Sequence, residues 1–120
     1  MKVNELADMW IEYHHTNDES LYSAFTKVEY LVLDNAEKAW QMILVILKKD
    51  NSDTVISNLA AGPLEELLVQ HGSKVIDRVE AKARQDSNFS KLIMGVWRNT
   101  MPEDIWSRVE TLQSLHAQSV

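Results

Sequence analysis

The chain is 120 residues long, contains no cysteine and carries a net charge of −6 at neutral pH. That length makes one domain with a core of its own, and the lack of cysteine excludes disulfides and thiolate metal sites. The acidic balance argues against nucleic acid as a partner, because phosphate binding needs clustered positive charge.

Scarce glycine and proline, with no β-branched alternation, predict an all-α fold. The first helix is expected from about Asn4 to His14 or His15, with Leu6, Met9, Trp10 and Tyr13 on one apolar face. A polar break, Thr16 to Ser20, precedes a second helix over about Ser20 to Leu33, with Leu21, Phe25 and Val28 inward. Asp34-Asn35-Ala36-Glu37 reads as a capping box with Asp34 as the cap. It opens a third helix to Lys48 or Lys49, whose stripe of Trp40, Ile43, Leu44 and Leu47 makes it the central one. Ser52 or Asp53 caps a short fourth helix through Ala60.

A corner is expected next. Gly62 suits the residue after a helix end, where φ is positive, and Pro63 suits the first position of the next helix. Glu65 and Glu66 then sit where the helix dipole favours acids, and Leu64, Leu67 and Leu68 form a stripe. Gly72 closes this helix just after His71. Ser73 caps a sixth helix to Gln85, and Ser87 or Asn88 starts a seventh carrying Phe89, Leu92, Ile93, Val96 and Trp97. Thr100-Met101-Pro102-Glu103 is a second capping box before a last helix with Ile105, Trp106, Val109 and Leu112. Seven to eight mostly short helices fit stacked, HEAT-like helical hairpins best, with a compact irregular bundle as the alternative.

The charge is uneven. Residues 1–53 hold ten Asp/Glu against five Lys, a charge of −5, and residues 54–120 hold eight against seven, a charge of −1. A solvated surface accounts for this, and so does an acidic face turned to a basic partner. The start of the chain has no apolar run of signal-peptide type. The longest apolar run, Met42 to Leu47, is far short of the ~20 residues of a membrane span. A cytoplasmic protein with no membrane association is expected.

No phosphate loop, dinucleotide fingerprint or nucleophile elbow is present, so no catalytic residue is assigned and no enzyme is expected. Neighbouring helical residues point about 100° apart, so His14 and His15 do not chelate one metal together. A metal site would need one of them with His71 and Glu65, and helix-end histidines beside free carbonyls are the simpler reading. No metal and no cofactor is assigned. Glu65 and Glu66 can serve as a general base or simply as helix-start acids. Lys74, Arg78, Lys82 and Arg84 are interleaved with Asp77, Glu80 and Asp86, which favours pairing within the helix over a nucleic-acid strip. Trp10, Trp40 and Trp106 lie on apolar stripes and read as core. Trp97, beside Arg98, can anchor a partner, since Trp and Arg dominate interface hot spots.

Five stretches carry a resemblance: Trp10-Ile11-Glu12-Tyr13-His14, Ala39-Trp40-Gln41-Met42-Ile43, Ala60-Ala61-Gly62-Pro63-Leu64-Glu65 with Leu67-Leu68, His71-Gly72, and Gly95-Val96-Trp97-Arg98. Together, from Trp10 to about Val109, the chain resembles a family of small bacterial proteins known only as a domain of unknown function. The resemblance implies a bacterial, cytoplasmic, helical protein. By analogy of class, small acidic helical proteins of this kind are often immunity proteins that neutralise a toxin domain. The expectation is therefore a protein-binding module of immunity type that covers the active or substrate-binding face of a basic toxin. Asp18, Glu19 and Glu29 are the candidate acidic contacts, and Trp97 and Arg98 are further binding candidates; Gly62, Pro63, Gly72 and Trp40 are structural. A helical scaffold that self-associates as a homo-oligomer is the second reading. A small metal-dependent hydrolase using His14, Glu65 and His71 is the third.

Overall fold

Apolar residues recur at helical spacing along the whole chain, and the chain is all-α. The computed structural model describes residues 2–119. Among them there is no strand, and the α-helices are α1 (Val3–Thr16), α2 (Tyr22–Asp34), α3 (Ala36–Lys49), α4 (Asp53–Leu59), α5 (Glu65–Gln85), α6 (Ser87–Ile93) and α7 (Glu103–Ser119). A 3₁₀ turn, Glu19–Leu21, joins α1 to α2, and a π-helical turn, Ala60–Leu64, joins α4 to α5.

Helices α1, α2 and α3 pack on one another, as do α5, α6 and α7, and α3 and α2 both rest on α5. These contacts, together with those of α1 with α4, draw the helices into one compact all-α globule. Its radius of gyration, 13.6 Å, is that of a compact chain of this length. Trp10, Ile43, Ile46, Leu59, Leu68 and Phe89 are among the side chains withdrawn almost wholly from water. Trp40 meets Phe89 edge to face, with ring centroids 5.5 Å apart, and so ties α3 to α6. Burying side chains of this size is worth about 1.5–3 kcal/mol each.

Several helix ends differ from expectation in instructive ways. The cap of α3 is Asn35, whose side chain accepts the Lys38 N–H at 3.1 Å, while Asp34 remains the last residue of α2. Ser52 does cap α4, through Val55 N–H at 3.3 Å. Asp86 caps α6 by accepting from Asn88 and Phe89, one position before the residues predicted for that role.

The expected corner at Gly62 is not a corner. No glycine has a positive φ, and the backbone runs from α4 through Pro63 into α5 without ending. The reason is visible in the pattern of burial. Val55/Ile56, Leu59/Ala60, Pro63/Leu64 and Leu67/Leu68 are buried pairs spaced strictly by four. In a helix of 3.6 residues per turn, such spacing drifts about 40° with each pair. A wider turn cancels the drift, and the Glu65 N–H accordingly reaches the Ala60 carbonyl, five residues back. Pro63 promotes the widening, since its ring would strike the carbonyl four residues earlier in a regular helix and it donates no hydrogen bond of its own.

Gly72 does not end a helix either. The fifth and sixth expected helices are one, bent at His71, whose φ of −134° and ψ of 26° leave the helical region. Gly72 is needed there for closeness: a Cβ on it would lie 3.0 Å from Cγ1 and Cγ2 of Ile105, so its bare backbone is what lets α7 seat against α5. The seventh expected helix stops at Ile93, and Trp97 therefore leaves the apolar stripe for a loop.

Candidate functional site

Half of the ten acids in residues 1–53 are engaged with the fold itself. Asp8 pairs with Lys49 at 3.0 Å, Asp53 with Lys91 at 3.1 Å, Glu37 with Arg78, and Asp50 with His15 at 2.8 Å. Asp18 caps the 3₁₀ turn, accepting the Ser20 N–H at 3.0 Å and the Ser20 hydroxyl at 2.8 Å. Those bonds hold its carboxyl below the usual range. Of the three acidic candidates, Asp18 is thus a positioning residue for the start of α2. Glu19 and Glu29 make no side-chain hydrogen bond or ion pair among the described residues.

Glu29 lies on a distinctive strip. Tyr22, Thr26, Glu29 and Leu33 recur at i, i+4, i+7 and i+11 and so share one face of α2. Tyr22 and Leu33 are half exposed, and Tyr30 beside them is 67 % exposed. The inner edge of this strip opens into a cleft of about 370 Å³ between α1, α2 and the π turn. Trp10, Val28 and Val32, all nearly inaccessible, make its floor, and Phe25 and Pro63 its walls. Glu29 stands on one side, and Glu66 with Ala61 and Gly62 on the other. A cleft of this size is at the lower end of small-ligand pockets, roughly 300–1,000 Å³.

The electrostatics of the cleft are one-sided. Neither Lys nor Arg lines it. Glu66 has only the neutral Gln70 amide at 3.0 Å, and Glu29 nothing among the described residues. The contrast with the far face of α5 is sharp: there Arg108 bridges Asp77 and Glu80 from α7, and its hydrogen bonds hold the Glu80 carboxyl below the usual range. Within the basic run on α5, Arg78 pairs with Glu37 on α3 and Lys82 with Asp86 at i, i+4.

A second shallow depression borders the first, and Ala61 belongs to both. It holds Trp97, 76 % exposed, with Glu65 and Asn99. Glu65 accepts the Trp97 backbone N–H at 2.9 Å and the Asn99 amide at 3.3 Å. Arg98 is turned the other way, paired with Glu103 at 3.0 Å and bonded to the Met101 carbonyl. The π turn therefore sits between the acidic cleft and the exposed tryptophan, and widened turns of this kind are frequent at functional sites.

The histidines are dispersed. His71 Nε2 donates to the carbonyls of Val32, at 2.9 Å, and Leu33, at 3.2 Å, and so closes the C-terminal end of α2. His14 is packed among Trp10, Tyr13 and Phe25, its Nε2 buried without a hydrogen bond among the described residues. Burial, and after it the charge of neighbouring His15, lowers its pKa. Glu65 serves the Trp97 loop. These three are not brought together, and among the described residues no group of three or more His, Asp or Glu side chains is arranged to hold a metal. No described helix is long and apolar enough to cross a membrane.

Sequence reasoning named Glu29 and Trp97 but missed Trp10, Phe25 and Glu66 as members of one cleft. A comparison with curated proteins finds no match, and one with solved structures finds none. A family model matches residues 12–117, nearly the whole chain: the protein belongs to the family of unknown function DUF6869.

Proposed function

We propose that the protein works by binding another protein, basic in character, through α2 and the cleft beside it. One observation carries the reading: on this face exposed aromatic and aliphatic side chains coincide with carboxylates that have no counter-charge. Glu29 and Glu66 on the rim of the cleft, and Glu19 just before α2, are the carboxylates on this face that are left to meet a partner. Exposed Tyr22, Tyr30 and Trp97 supply the rigid aromatic contacts that dominate binding energy at interfaces. Charge on the rim of such a surface speeds encounter and selects the partner's sign.

The finer form of the proposal is an immunity-type protein that neutralises a bacterial toxin domain by covering its active or substrate-binding face. Steric cover with complementary charge suffices, and the protein performs no chemistry itself.

Affinity capture from the native host tests this, with the wild-type chain and a Glu19→Lys/Tyr30→Ala variant run side by side. Both positions lie outside the cleft and are exposed, so the variant folds. The expected result is one stoichiometric basic protein, recovered roughly tenfold less by the variant, a loss of about 1.4 kcal/mol. Recovery of no basic protein, or equal recovery by both chains, rules the reading out. A wild-type chain that is a stable oligomer by light scattering, with no foreign partner, points instead to a self-associating scaffold.

A further inference from the structure

We infer that the cleft between α2 and the π turn is a socket for a single arginine side chain of the partner. The identity of the occupant rests on the binding reading above; the socket itself rests on geometry. Its floor is apolar, formed by Trp10, Val28 and Val32, each almost inaccessible. Its rim carries two carboxylates, Glu29 and Glu66, on opposite elements. An apolar occupant would bury those carboxylates without a counter-charge, which is costly, and an anion would be repelled. A cation with an apolar stem satisfies both layers at once.

Arginine fits better than lysine. Its methylene stem lies along an apolar floor while the charged head stays at the rim. Its planar guanidinium stacks on aromatic rings, here Phe25, and presents several N–H donors that can serve two carboxylates together. A lysine ammonium is compact and more strongly hydrated, so it loses more on entering. The mouth is open to receive it: a Cβ built on Gly62 meets no atom within 4 Å.

The test is a titration of the ¹⁵N-labelled full chain with Nα-acetyl-arginine amide, followed by amide and indole shifts. The citrulline counterpart, of the same shape but uncharged, is the control. Saturable shifts at millimolar arginine are expected at Glu29, Ala61, Gly62 and the Trp10 indole. They should be several-fold smaller with citrulline and absent in Glu29→Gln/Glu66→Gln, a near-isosteric pair of changes. Equal response to citrulline overturns the inference, as do shifts confined to other surfaces or no saturable response. These two arms run on the wild-type chain, so a misfolded variant cannot obscure them. Failure here with a basic partner captured would leave the binding reading standing. Success here with no partner captured would leave the socket and remove the partner.

Discussion

The carboxylate of Glu65, in the first turn of α5, accepts the backbone N–H of Trp97 at 2.9 Å, and its other oxygen meets the Asn99 amide at 3.3 Å. Asn99 itself takes a left-handed φ of 53°, a conformation asparagine adopts more readily than most residues. The most exposed aromatic ring on the molecule is therefore carried on a loop pinned at two points. A side chain presented this way loses less freedom on binding than one on a loose loop.

Glu65→Ala should free that loop. We expect faster amide hydrogen exchange over residues 95–99 and a stability loss of about 1 kcal/mol, since a half-exposed carboxylate bonded to backbone contributes at the modest end of charged hydrogen bonds. Trp97→Ala should leave stability within about 0.5 kcal/mol, as exposed positions do. If Glu65→Ala leaves exchange at Trp97 unchanged, the carboxylate is not what holds the loop.

Two glycines should respond oppositely to alanine. Gly62 has free space around a new Cβ and no positive φ, so Gly62→Ala should stabilise by about 0.4–1 kcal/mol through the unfolded chain. Gly95 brings the end of α6 against the π turn, and a Cβ there would lie 2.9 Å from the Ala60 Cβ. Neither carbon is the end of a flexible side chain, so Gly95→Ala should cost roughly 1–3 kcal/mol. Urea unfolding midpoints at constant slope measure both. A stabilised Gly95→Ala would contradict the close approach.

His71→Ala should uncap α2. It leaves the carbonyls of Val32 and Leu33 short of a donor, at a cost of about 1–2 kcal/mol. The effect should spread to function, because Leu33 ends the strip that borders the cleft. Hydrogen exchange should rise in the last turn of α2, and binding of a captured partner should weaken. Unchanged exchange there would show that water replaces the imidazole without loss.

His14 makes stability depend on pH. Its ordinary value is 6.5, and burial, then His15, lowers it in the folded chain. Between those two values the unfolded chain holds the extra proton, so stability rises with pH in this window. The contribution is present above 6.5 and is lost as pH falls through the folded value. Thermal unfolding midpoints should therefore decline below pH 6.5, and His14→Phe should flatten that decline relative to wild type. A His14 imidazole that titrates by NMR at or above its ordinary value would overturn the assignment.

Local signals in the sequence were legible, and remote ones were not. Trp10 and Trp40 declared themselves by falling on apolar stripes, and both are buried. Ser52 declared itself as a cap because a cap acts within three residues. The π turn was also written in the chain, as buried pairs spaced by four, but Gly62-Pro63 is so strong a stop signal that it masked the period. Trp97 follows Ile93 at helical spacing, and only the end of α6 removes it from the stripe. The cleft could not be read, because Trp10, Glu29 and Glu66 come to line it only after α1, α2 and the start of α5 have packed. The same holds for side chains that close distant helices, His71 at the end of α2 and Gln113, whose amide donates to the carbonyls of Ile93 and Val96.

The helical path from Asp53 to Gln85 takes in α4, the π turn and α5 without a break. Drawn out as a straight α-helix it would be about 50 Å long at 1.5 Å per residue. The whole molecule measures 40 Å along its longest axis. The strut is thus longer than the house it stands in, and it is jointed twice, by the widened turn Ala60–Leu64 and by the bend at His71. The cleft and the cap of α2 lie at those two joints, so the shape of this face and the way the chain closes on itself are the same mechanical fact.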